Sequence, residues 1–244
     1  RVNELGGMGI AVIVVAVLFA SCLQGSIGFG MGMLAAPVVA VVDPGLVPGT
    51  LIMLATLLTL MVVIKERTAI DMAGTGWALL GRIPGTVAGA LLLAAIPEHA
   101  LAILIAAVVL GGVAVTGMGW VPVPRRRNLV LAGATSGVLG TATSIGGPPM
   151  ALVWQRSAGP QLRATMSSFF LIGSLMSIAM LALTGAVDRH TVAMFGALVP
   201  AAVLGYVLSR YVNRLLNPQR QRWTAITVSL IGAVVLIIQQ TGLL

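Results

Sequence analysis

The chain has 244 residues, of which 58% are hydrophobic and only 8% charged, with a formal net charge of +8. A soluble domain carries roughly a quarter charged residues, so an ordinary cytosolic enzyme, a secreted disulfide scaffold and a nucleic-acid module are excluded. Thirty glycines and twelve prolines do not signal disorder, because disordered chains are poor in apolar residues. The composition is that of an all-α polytopic membrane protein.

In chain order, Arg1–Gly7 followed by Met8–Ala20 has the outline of a signal peptide. Ser21–Ala40 continues apolar, so the start is read as part of the membrane domain. A span needs about 20 largely apolar residues. Gly9–Val42 is apolar but interrupted midway by glycine and small polar residues. Val47–Ile64, Ala69–Ile96 and Ala100–Met118 read as uninterrupted spans. Leu129–Trp154 is again apolar and interrupted, and Ala164–Thr184, Thr191–Arg210 and Trp223–Gln239 complete the set.

The charges orient these segments. Lys65-Glu66-Arg67, Arg125-Arg126-Arg127 and the group Arg210, Arg214, Arg220 and Arg222 form basic turns, whereas the turns at Asp43, Glu98 and Asp188 are less basic. The positive-inside rule puts the first group in the cytoplasm. Arg156 and Arg163 also belong inside, so Leu129–Trp154 leaves and returns on one side. Twenty-six residues suffice for two half-helices meeting at a break, which predicts a re-entrant hairpin lining a cavity or buried in protein.

The halves resemble each other. Ser21–Gly25 reads SCLQG and Ser136–Gly140 reads SGVLG, about 115 positions apart, and Pro84 and Gly89 recur as Pro200 and Gly205. The expected fold is one membrane domain, 1–244, of two repeats, 8–120 and 127–242. Each is a broken or re-entrant hairpin followed by three transmembrane helices, the second copy inverted. Inverted repeats with an interrupted opening segment characterise secondary transporters, whose sites lie where the breaks meet.

The two breaks carry the candidate site. The first reads Gly25-Ser26-Ile27-Gly28-Phe29-Gly30-Met31-Gly32 and the second Gly140-Thr141-Ala142-Thr143-Ser144-Ile145-Gly146-Gly147-Pro148-Pro149. The GxGxG in the first is no dinucleotide fingerprint, because no βαβ unit surrounds it. A helix resuming after a break presents unpaired N–H groups and its positive dipole end, which suits an anion. Gly25, Gly28, Gly30, Gly146, Gly147 and Pro148 shape the breaks. Ser26, Thr141, Thr143 and Ser144 offer hydroxyls and Gln24 an amide. Glycines outside the breaks, such as Gly85 and Gly89, are read as close helix-packing positions.

Arg82 lies inside a long apolar segment. Four readings stand: it attracts an anion, it pairs with Asp71, it snorkels from a segment longer than one span, or it helps fix a helix kink beside Pro84. Arg156 and Arg163 are topology anchors or an electropositive entrance. His99 and His190 fall in turns on the far side and are too few for a metal site. Trp154 closes the second break and is placed at its mouth, and the methionines are core filler. No catalytic triad, metal cluster or carboxylate pair is apparent, so no enzyme, cofactor or metal is expected.

The two Gly-rich blocks, Gly25–Gly30 and Gly140–Pro149, resemble those of the TauE/SafE family of membrane permeases, and the size and duplicated layout extend the likeness over nearly the whole chain. The resemblance implies transport of a small sulfur-containing anion such as sulfite, thiosulfate or an organosulfonate. The expectation is a secondary transporter in the cell inner or plasma membrane, its partners a small anion and the lipid bilayer, with a homo-oligomer left open. Channel-like or uniport conduction and a non-transporting scaffold are the alternatives.

Overall fold

The computed structural model describes residues 7–117, 122–157 and 159–215 and positions 234 and 238. Within them the chain forms nine α-helices, two single-turn 3-10 helices and no strand. Apart from positions 234 and 238, the expected last span, Trp223–Gln239, lies outside the described residues, as do the arginines at 220 and 222.

Both interrupted segments are broken helices. α1 (Gly7–Ile27), whose first half is a run of valine, isoleucine, alanine and leucine from Ile10 to Leu18, stops where Gly28 and Gly30 take φ of +86° and +118°, conformations that only glycine adopts without strain. α2 (Met31–Val42) then resumes and ends at Asp43. In the second half α6 (Arg126–Thr143) ends where Ser144 turns left-handed, φ 65°. α7 (Gly147–Val153) restarts with prolines in its first turn, where a missing N–H costs nothing. The breaks are narrower than the glycine blocks predict. Gly25 to Ile27 stay helical in α1, and Thr141 and Thr143 stay helical in α6, because each helix continues until a residue leaves the right-handed region.

The remaining elements are α3 (Gly49–Glu66), α4 (Met72–Ala95), α5 (Glu98–Gly117), α8 (Gly159–Leu183) and α9 (Arg189–Leu215). Asp71 starts α4 by accepting the Gly74 N–H at 3.0 Å. Asp188 starts α9 by accepting both the N–H and the hydroxyl of Thr191 at 2.7 Å. Such caps satisfy donors that a helix leaves unpaired.

Without water between helices, packing relies on small residues that let backbones touch. α4 and α6 run parallel: a Cβ on Gly81, Gly85 or Gly89 would overlap the carbonyls of Val130, Ala134 and Val138 in turn, and one on Gly133 would overlap that of Ala78. The packing role expected of Gly85 and Gly89 is therefore met by geometry. α1 and α9 also run parallel, Gly205 against the Leu18 carbonyl and Gly25 2.6 Å, as a built Cβ, from Ser209 Oγ. α3 and α8 run antiparallel, joined by Glu66 to Arg163 and by Thr56 Oγ1 donating to Ser174 Oγ at 2.8 Å. α7 folds back along α6, with Val153 and Trp154 buried beside Leu129 and Ala132.

These contacts sort the charges by end. At one end Arg126 lies 4.9 Å over the Trp77 ring, Arg163 meets Glu66, and Thr165 accepts the Asp71 N–H. At the other, His190 Nε2 lies 3.3 Å from Asp43 Oδ2, and Thr50 donates to the Thr191 carbonyl. Between the ends the outer surface is apolar, with Phe19, Ile64, Leu91 and Leu175 all exposed. Five of the described helices are long and apolar enough to cross a membrane, and their lipid-like exteriors make the chain a multi-pass membrane protein.

Candidate functional site

The two breaks meet. Gly32, in the first turn of α2, sits against the Ser144 carbonyl so closely that a Cβ would overlap it. Beside this contact lies a cavity of about 40 Å³, room for a few waters or one small anion. Gln24, Phe29, Gly30, Met31, Gly32 and Met33 line it from the first break, and Gly140, Ser144, Gly146 and Gly147 from the second. α3 adds Ile52 and Ala55, α4 adds Arg82, and α8 adds Phe170 and Ser174.

Each break is braced by one side chain. Gln24 Oε1 accepts the Met31 N–H at 3.0 Å while its Nε2 donates to the Gly28 carbonyl at 3.4 Å. Gln24 thus consumes one donor of α2. The first internal bond of that helix is from Leu34 N to the Gly30 carbonyl, which leaves the N–H groups of Gly32 and Met33 without intrahelical partners. They sit at the positive end of the α2 dipole, on the cavity wall. Thr143 plays the bracing part in the second break: its hydroxyl donates to the Leu139 carbonyl and accepts the Ile145 N–H. Here the expectation of a donor-rich helix start fails. Pro148 and Pro149 have no N–H, so α7 offers only that of Gly147 in its first three positions.

Arg82 is 3% exposed. Its Nη1 donates to Ser136 Oγ at 3.0 Å, and Ser136 in turn donates to the Gly146 carbonyl at 2.7 Å. The guanidinium lies 4.9 Å from the Phe169 ring centre and 5.5 Å from that of Phe170. Its Nε has no partner among the described residues. Asp71 is engaged as a helix cap, and the ion pairs formed among the described residues, Arg163–Glu66 and His190–Asp43, do not include Arg82. Of the four readings, pairing with Asp71 and snorkelling are thereby removed, while a part in the bend of α4 at Pro84 stands beside anion attraction. Among the described residues this cation has no acidic partner, and it lines the cavity, an expensive arrangement in a membrane.

The structure brings Gln24, Gly30, Arg82, Ser144, Gly146 and Gly147 onto the cavity wall. The other candidates stand elsewhere. Gly25 packs on α9, and Gly28 packs on the Arg163 backbone. Ser26 donates to Cys22 O. Thr141 shares a 2.8 Å bond with Ser177. Thr143 is the brace described above, and Pro148 lies against Gly112. Ser144 Oγ donates to the Pro48 carbonyl, tying the second break to the start of α3. Trp154 is buried edge-on to Phe169 at 6.0 Å rather than placed at a mouth. Met150 and Met166 are core, whereas Met31, also buried, and Met33 line the cavity.

Sequence reasoning missed Ser136 and Gly173. Ser136 appears in the repeat only as a matching letter, yet it orients Arg82. Gly173 leaves the space that the Arg82 side chain occupies. No sequence signal separates Gly173 from other small residues in membrane helices. Among the described residues no group of three His, Cys, Asp or Glu side chains could hold a metal ion.

A family model described as Sulfite exporter TauE/SafE matches residues 12–236. No curated protein and no solved structure gives a match.

Proposed function

The chain belongs to the sulfite exporter TauE/SafE family, whose members are membrane permeases and not enzymes, and on that premise we propose a secondary transporter that holds a small sulfur-containing oxyanion or sulfonate between its two helix breaks. The observation that carries this reading is the guanidinium of Arg82, buried on the wall of the inter-break cavity with no counter-charge among the described residues. An anion there supplies the missing charge. The Gly32 and Met33 N–H groups add further donors, the kind of helix-terminus site that discontinuous helices build in transporters. The small volume favours sulfite-sized anions over long organosulfonates.

The two halves are inverted copies in this reading. The pairing of α1 with α9 and of α6 with α4 supports it, since a two-fold relation exchanging α1 with α6 and α4 with α9 turns one pair into the other. The basic end faces the cytoplasm of a cell inner or plasma membrane. Access alternates as one group of helices rocks against the other.

Flux into proteoliposomes of labelled sulfite, short sulfonates and carboxylates tests the function. Saturable, sulfite-competed flux is expected. Absence of flux for every small anion overturns the transporter reading.

A further inference from the structure

We propose that Arg163 is the gate at the basic end of the pathway and, once released from Glu66, a second anion-binding station after Arg82. The inference rests on the transporter reading above and adds to it the group that an anion meets next.

Three parts of the fold converge on this one residue. Arg163 Nε lies 2.8 Å from Glu66 Oε2 and 3.0 Å from Oε1, and Nη2 also donates to Oε1. Its Nη1 donates to the Ser26 carbonyl at 3.4 Å, on the α1 side of the first break. Gly28, in the break itself, sits on the Arg163 backbone: a built Cβ would be 2.7 Å from its carbonyl oxygen. The C-terminal end of α3, the first break and the start of α8 are thus fastened together at Arg163.

The same face of α8 leads back to the cavity. Residues 163, 167, 170 and 174 follow the three- and four-residue spacing that stacks side chains along a helix. Phe170 and Ser174 line the cavity, and Arg163 stands about 10 Å further along the axis from Phe170 at 1.5 Å per residue. Between them, Ser167 is fully buried and its hydroxyl has no hydrogen-bond partner among the described residues. A buried polar group is ordinarily satisfied. An orphan hydroxyl between two guanidinium groups is a donor awaiting a passing anion.

The chemistry explains why the gate is an ion pair. While Glu66 holds the fork of Arg163, the cation is neutralised and the carboxylate repels an approaching anion. When α3 and the first break draw away, the same planar fork is left to take two oxygens of a sulfite or sulfonate. Opening and binding then use one group.

The test uses the full chain with Cys22, its single cysteine, replaced by serine and one reporter cysteine added. With Ala55→Cys on the cavity wall, Glu66→Gln should raise labelling by a membrane-impermeant maleimide applied from the basic end by about tenfold, a shift in gate population. The charge-swapped pair Glu66→Arg/Arg163→Glu should return labelling to the parent level, which separates gating from misfolding. With Ser167→Cys in the Glu66→Gln background, methanesulfonate should slow labelling, and adding Arg163→Gln should abolish that protection. Unchanged labelling in a folded Glu66→Gln protein overturns the gate. Protection that survives Arg163→Gln overturns the second station. Neither readout requires net flux, so failure here is distinct from failure of the transporter reading.

Discussion

Gly173 of α8 and the side chain of Arg82 from α4 occupy complementary space. A Cβ at position 173 would overlap the guanidinium Nε, Cζ and Cδ of Arg82. The missing side chain of one residue is therefore the seat of the other, and it holds the guanidinium between Ser136 and the two phenylalanines. Gly173→Ala should displace the cation without breaking α8, where alanine is the better helix former. Flux is expected to fall by about a hundredfold, the scale of a misplacement near 1 Å, while the protein keeps its thermal transition in detergent. Full flux in Gly173→Ala would show that Arg82 need not sit there.

Arg82→Met separates function from stability. A buried charge replaced by an apolar side chain of similar length leaves stability unchanged or raises it by about 1–4 kcal/mol. Anion flux should be lost, and Tm should hold or rise. A lower Tm with flux retained would identify Arg82 as a structural residue.

Gly81→Ala tests the close approach of α4 and α6. The added methyl would meet the Val130 carbonyl, so the helices must part, at a cost of about 1–3 kcal/mol. Gly76 has open space at its Cβ position, so Gly76→Ala should leave stability equal or improve it by about 0.4–1 kcal/mol. Melting curves of the two variants in one detergent make the comparison. Equal loss in both would point to a general helix effect.

Asp188 supplies a pH limb. The Thr191 N–H and hydroxyl hold its carboxyl below the usual carboxylate range. A carboxylate with a lowered folded value contributes stability that is fully present above its unfolded pKa, about 3.9. That contribution is lost as pH falls through the lower folded value. Asp188→Ala should cost about 0.5–2 kcal/mol near neutrality, as helix caps do. The difference in Tm from the parent should shrink on acidification below about pH 4. A difference that stays constant with pH would assign the loss to packing.

Single cysteines at Glu98 and Arg126 test the inversion, again with Cys22 replaced. An impermeant reagent should reach position 98 from one side and position 126 from the other. Labelling of both from the same side would defeat the inverted arrangement.

Much of this architecture is legible along the chain because a bilayer imposes length. Every described helix falls within or close to a segment that apolar run length marks, and both breaks fall inside the glycine blocks, since a helix stops where the backbone leaves right-handed geometry. Charge placement also reads correctly: Arg126, Arg163 and Glu66 share one end, while Asp43 and His190 share the other. The individual donors were less legible. Thr141, Thr143 and Ser26 look like anion ligands by residue type, yet their hydroxyls are spent on Ser177, Leu139 and Cys22. A hydroxyl in a membrane helix finds the nearest carbonyl or hydroxyl, and the sequence does not say which partner wins.

By itself, then, the sequence determined the membrane setting, the described helices, the two interruptions and the family. Those follow from local quantities: hydropathy over a span, the torsional freedom of glycine, the missing N–H of proline, and motifs read in order. Only the tertiary structure decided that Arg82 has no counter-charge among the described residues, that Gly173 makes room for it, and that α2 rather than α7 brings most of the unpaired N–H groups to the cavity. These depend on which side chains arrive from α6 and α8. A charge's cost and its use are set by neighbours far away in the chain.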